Sequence, residues 1–151
     1  MTLYQLLLII HILSAIIGLG PGFVMIYLVT YAQTMEQLRY SYQLRHRIHI
    51  FVMIGGVGIL VTGIWMGLLN PVLLSQGWYL LSLMLYLIAL AMGPVVLKRL
   101  SAPIKHFLSK PAEYEGIPQS YKQMANKLFF YERIEMIIFI MIIILMVWKP
   151  F

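Results

Sequence analysis

Few side chains in this sequence can do chemistry, and they fall in three places. His11 stands inside LLLIIHILSAIIGLGPGF, residues 6–23. His46 and His49 stand in RHRIH, with Arg45 and Arg47 between and beside them. Glu132, Arg133 and Glu135 stand together in YERIE. A neutral imidazole can ligate haem iron or another metal, or relay a proton. A carboxylate at the same depth as an arginine can form an ion pair or carry a proton. Cysteine is absent, which excludes disulfides, thiolate metal sites and iron–sulfur clusters.

His11 is the sharpest of these because its surroundings are so apolar. Burying an ionisable group there costs a few kcal/mol unless it has a partner or a ligand. A hydrogen bond to Ser82 or Tyr86 of another helix would supply the partner. Ligation of haem iron, ligation of a metal or a proton relay would supply the function. Helical spacing places His11, Ala15, Gly18 and Gly22 on one stripe. The three small residues suit close helix packing of the GxxxG kind, or a slot in which a flat molecule lies beside the imidazole. Pro21 removes one backbone hydrogen bond and is expected to kink the helix.

The elements that must position these groups follow from composition. The chain has 151 residues, 62% hydrophobic and only 11% charged. A soluble domain of this size cannot hide so much apolar surface, so an all-α polytopic membrane protein is expected, with a single domain over 1–151. A bilayer core about 30 Å thick needs roughly 20 apolar residues per helix. Four segments qualify, at about 3–30, 49–69, 78–97 and 131–148. The first lacks a basic start and a small-residue cleavage site, and reads as a retained span. Thr34-Met-Glu-Gln37 reads as a capping box that starts helix two near residue 35. Pro118 precedes a breaker-free run, so helix four is expected over about 119–148. SAPIKHFLSKPAEYEGIP, 101–118, has three prolines and a glycine and reads as a surface connector.

Charge then orients the bundle. Ten of the eleven Lys and Arg residues lie in 31–48 and 98–130 or at the adjoining ends of the spans, the exception being Lys149. The loop at 70–77 has no charge. The positive-inside rule makes 31–48 and 98–130 cytoplasmic and puts both termini outside. The expected architecture is thus four antiparallel transmembrane helices, N-out and C-out. The net charge of +6 is topology rather than a nucleic-acid footprint. Trp65, Trp78, Tyr79 and Trp148 fall at the outer boundary, where aromatic belts belong.

Level with His11 by depth are Thr62, Gly63 and Met66 on span two, Ser82 and Tyr86 on span three, and Met141 on span four. Gly56, Gly63 and Gly67 share a stripe, which predicts close packing of spans one and two. There is no second histidine at that depth, so Met66 or Met141 would be the sixth ligand of any haem, or the iron would be five-coordinate. Glu132 or Glu135 paired with Arg45 or Arg47 is the simplest account of the charges near span four.

YQLLLIIHILSAIIGLGPGFVMIYLVTY resembles the first helix of a bacterial four-helix integral membrane family of unassigned function. It is similar, more distantly, to HemJ-type protoporphyrinogen oxidases and CopD-like copper-resistance membrane domains. FVMIGGVGILVTGIWMGLL, 51–69, resembles their second helix, with Gly63-Ile-Trp-Met matching a Gly-x-Trp-x pattern. GWYLLSLMLYL, 77–87, resembles the start of the third. The resemblance implies that His11 is a haem ligand. The HemJ-type third helix carries a lysine where Ser82 stands here, so the protoporphyrinogen reaction does not carry over. The expectation is an integral protein of the bacterial cytoplasmic membrane that binds haem b through His11. The pocket would be lined by Ala15, Gly18 and Gly22, with Gly63, Met66 and Tyr86 facing it. Its role would be redox or haem handling, with quinone or a respiratory or haem-pathway protein as partner, and it would form a homo-oligomer in the lipid bilayer. The rival expectations are a cofactor-free accessory or scaffold subunit, and a membrane protein that handles Cu(I) through His11 and methionines such as Met66.

Overall fold

A computed structural model describes residues 2–110 and 116–151. The described chain is helical, with no strand among the described residues. The helices are α1 (Leu3–Thr30), α2 (Met35–Leu69), α3 (Gly77–Met92), α4 (Lys98–Ser109) and α5 (Gln119–Trp148). A 3₁₀ turn, Pro71–Ser75, joins α2 to α3, and a π-helical turn, Gly93–Leu97, joins α3 to α4.

Local signals account for most of the boundaries. Thr2 caps α1 in a reciprocal box. Its hydroxyl accepts the Gln5 N–H at 3.3 Å, and the Gln5 side chain accepts the Thr2 N–H at 2.9 Å. Thr34 caps α2 by accepting the Gln37 N–H at 3.2 Å. The return half of the expected box is displaced, because the Gln37 side chain takes the Gln33 N–H instead, at 2.9 Å. α1 runs through Pro21 as one helix. Pro94 falls in the π turn, where a widened turn accommodates a residue that has no N–H to donate.

The expected surface connector at 101–118 is the main correction to the sequence reading. Its first half is helix α4, which contains Pro103; residues 111–115 lie outside the described part. Leu100, Ile104 and Leu108 recur four apart and put one face of α4 into a core, with Ile104 wholly buried. That stripe holds the helix across the proline. Arg39 finishes the element, its Nε donating to the Leu108 carbonyl at 3.1 Å and its Nη2 to the carbonyl of Lys110. The core that α4 joins comprises Ile26, Val29, Met35, Leu38, Ile104, Tyr121, Ala125, Leu128 and Phe129. A smaller cluster, Ile59, Tyr86 and Ile142, lies between α2, α3 and α5. Large aliphatic side chains such as Ile16, Ile54, Val57 and Ile137 are more than half exposed. A chain in water could not sustain that surface, but lipid can cover it.

Among the described residues, three helical stretches are long and apolar enough to cross a membrane: Leu3–Thr30, Met35–Leu69 and Gly77–Ser109. α5 is as long as α1 within two residues, but Glu132, Arg133 and Glu135 interrupt its apolar run. Four spans of equal standing were expected, and α5 differs from the other three on charge. At the far end of α5, Lys149 takes a left-handed conformation with φ 49°. The chain then folds back, so that the Trp78 N–H donates to the Phe151 carbonyl at 3.1 Å and Lys149 lies over the Trp78 ring at 5.4 Å.

Candidate functional site

The pairing of α1 with α2 builds the site. Gly18 lies against Gly55 so closely that a Cβ on Gly55 would sit 2.3 Å from the Gly18 nitrogen. A Cβ on Gly58 would strike the Ser14 hydroxyl at 2.4 Å. One turn further along, the His11 ring covers Gly63, with Cε1 at 3.4 Å from where a Cβ would stand. The other glycines of α2 receive side chains from α3. Tyr86 donates to the Gly56 carbonyl and Tyr79 to the Gly63 carbonyl, each at 2.7 Å. A Cβ on Gly67 would meet the Tyr79 hydroxyl at 2.5 Å. The expected stripe of Gly56, Gly63 and Gly67 is therefore divided. Gly56 and Gly67 serve α3, Gly63 serves both neighbours, and the closest approach to α1 is at Gly55.

His11 is half-buried and finds its partner on α2, where Nδ1 lies 2.8 Å from the Thr62 hydroxyl. The partners expected on α3 do not serve. Tyr86 is committed to Gly56, and Ser82 is buried with its hydroxyl unpaired. The hydroxyl of Thr62 has one proton, and it is directed to the Gly58 carbonyl at 2.5 Å. A carbonyl can only accept, so Thr62 must accept from His11. The neutral imidazole then carries its proton on Nδ1 and an unshared pair on Nε2. Ring orientation and tautomer are set by a neighbour in the way that outer-shell partners set a ligating histidine.

The remaining sequence candidates are distributed around this pair. Met66 is buried one turn from Thr62, while Met141 is 46% exposed on the surface of α5. Ala15 packs against the Ile59–Tyr86–Ile142 cluster. Gly18 is filled by the backbone of α2, and a Cβ at Gly22 would meet open space. Helical rise puts Thr62 level with His11, as found, but does not give its role as the partner. A hydroxyl four residues after a helix glycine is the signal that could have found it.

The charged groups form a second cluster. Arg45 pairs with Glu132, as one of the expected combinations, and both side chains are at least 85% buried. Arg45 also lies over the Tyr42 ring, 5.8 Å from its centre. Tyr42 and Tyr121 share a hydrogen bond at 3.2 Å. Burial raises both hydroxyls above the ordinary phenol range, so the pair is neutral. His46 and His49 are exposed and join no cluster of metal-ligating type; among the described residues no three His, Asp or Glu side chains converge.

A family model described as a predicted integral membrane protein (DUF2269) matches residues 5–150. No curated protein and no solved structure matches the chain.

Proposed function

Because the chain belongs to this family of predicted integral membrane proteins, we propose that it is a membrane-embedded haem b protein with His11 as axial ligand. One observation carries the reading: Thr62 fixes the His11 proton on Nδ1 and leaves Nε2 with a lone pair inside an apolar segment. His11 and Gly22, which shares its face of α1 and is open, would hold the group. Haem would supply one-electron chemistry, with quinone in the lipid as the matching partner. The distant likeness to HemJ-type and CopD-like domains belongs to this proposal and rests on the same histidine.

The proposed setting is the bacterial cytoplasmic membrane, crossed four times by an antiparallel bundle with both termini outside. The pairing of His11, Ser14 and Gly18 with Thr62, Gly58 and Gly55 supports opposite directions for α1 and α2. The neutralisation of Glu132 by Arg45 supports a fourth crossing by α5. Residues 132–148 would then reach about 25 Å, close to the thickness of a bilayer core.

The test is the absorption spectrum of protein produced with haem available. A Soret band present in the wild type and lost in His11→Ala is expected. A colourless wild type of normal thermal stability overturns the reading. A second reading, a cofactor-free structural subunit, is favoured by the closure of Gly18 against Gly55. It predicts that colourless protein.

A further inference from the structure

Between α1 and α5 a groove of about 470 Å³ opens to the surface, lined by Phe23, Ile26, Tyr27, Thr30, Arg133 and Met136 among others. It lies one turn from the Arg45–Glu132 pair, on the charged side of the protein. Its chemistry is two-sided. Phe23, Ile26 and Met136 make one end apolar. At the other end Tyr27 stacks on Tyr31, with ring centres 6.2 Å apart. Tyrosines in that position mark the headgroup level of a bilayer. Arg133 supplies the charge. Its neighbour Glu132 is committed to Arg45, and among the described residues Arg133 has no ion pair.

We propose that this groove holds an anionic phospholipid, its phosphate on Arg133 and an acyl chain along Phe23 and Met136. Charge complementarity selects the occupant. A guanidinium matches a phosphodiester in a bidentate fork, and a basic groove between membrane helices is the usual setting for an acidic headgroup. A zwitterionic lipid would fill the apolar end equally well but would set its own cation against Arg133. A soluble anion would leave the apolar end wet. The assignment is independent of any cofactor at His11, which lies far along α1 from Tyr27 and Tyr31.

Native mass spectrometry of the full chain, released from mixed phosphatidylglycerol and phosphatidylcholine nanodiscs, tests it. One phosphatidylglycerol should be retained per chain, and Arg133→Gln should lower its retention about fivefold, the loss of one cation near the surface. Arg47→Gln, an exposed cation outside the groove, should leave retention unchanged. Equal retention of the two lipids, or equal loss in the two variants, overturns the proposal. Release of the lipid by millimolar inorganic phosphate overturns it as well, since the site would then take the free anion. Phe23→Trp gives a readout without removing the charge, taken as the difference from the parent chain, whose Trp65, Trp78 and Trp148 lie outside the groove. Brominated phosphatidylglycerol should quench it more than brominated phosphatidylcholine, and equal quenching counts against the assignment.

Discussion

At the scale of single residues, the hydrogen-bond order His11 to Thr62 to Gly58 makes a prediction that does not depend on any cofactor. Thr62→Val keeps the shape of the side chain and removes the acceptor. The Nδ1–H of His11 is then left unpaired in an apolar setting, at a cost of about 1–3 kcal/mol. Thermal unfolding in detergent should show the loss in Thr62→Val and recover most of it in Thr62→Ser. If Thr62→Val and wild type melt together, the hydrogen bond does not hold the ring. Where the protein is isolated with haem, the same variant should shift or broaden the Soret band, because the ligand ring is no longer fixed. The level of His11 with Thr62 and Gly63 was legible in the sequence from helical rise alone. Its partner was not. Tyr86 reaches Gly56, about two turns of α2 from the Gly63 that His11 covers, and Tyr79 is the α3 residue that reaches Gly63; the hydroxyl within reach of His11 comes from α2, the helix that approaches at glycine distance.

At the scale of elements, glycines that look alike in sequence are unlike in the fold. Gly55 admits no Cβ because the backbone of α1 occupies the space, and that neighbour cannot turn aside as a side chain can. Gly20 and Gly22 have nothing within 4 Å of an added Cβ. Gly55→Ala should therefore separate α1 from α2 and lower the melting temperature sharply. Gly20→Ala should be neutral or gain up to about 1 kcal/mol, the usual difference between the two residues within a helix. Comparable loss in both variants would mean that the α1–α2 contact is not where Gly18 and Gly55 put it. Small-residue spacing announces that a helix is approached, but not by which neighbour. Four helices of similar hydropathy offer several solutions, and the two tyrosines of α3 claimed Gly56 and Gly67. Helix α4 shows the converse. Its prolines mark 101–118 as a connector, yet the stripe Leu100–Ile104–Leu108 is decisive once a core exists to receive it.

At the scale of the whole molecule, charge decides which end is which, and it does so twice. The first decision is internal. Arg45 on α2 and Glu132 on α5 are buried together, tying two helices that are distant in sequence. Arg45→Ala strands a buried carboxylate and should cost about 3–5 kcal/mol, while the double change Arg45→Met with Glu132→Leu should restore most of it. A double variant no better than the single one would place the value of the pair elsewhere than in mutual neutralisation. The second decision is topological. Tyr40 and Lys105 lie in the two basic segments, whereas Val72 lies in the 3₁₀ turn between α2 and α3 and Pro150 just beyond the end of α5. The chain has no cysteine, so a single cysteine at each of these exposed positions can be labelled without background. In intact cells a membrane-impermeant maleimide should modify Val72→Cys and Pro150→Cys, and should reach Tyr40→Cys and Lys105→Cys only after lysis. The result for Pro150→Cys carries the most weight. α5 is the helix whose charges interrupt its apolar run, and the docking of Phe151 on Trp78 puts its end beside the start of α3. Labelling of Val72→Cys without Pro150→Cys would leave α5 on the basic side of the membrane. Three crossings would then stand, and the Arg45–Glu132 pair would anchor a peripheral helix rather than escort a fourth one through the bilayer.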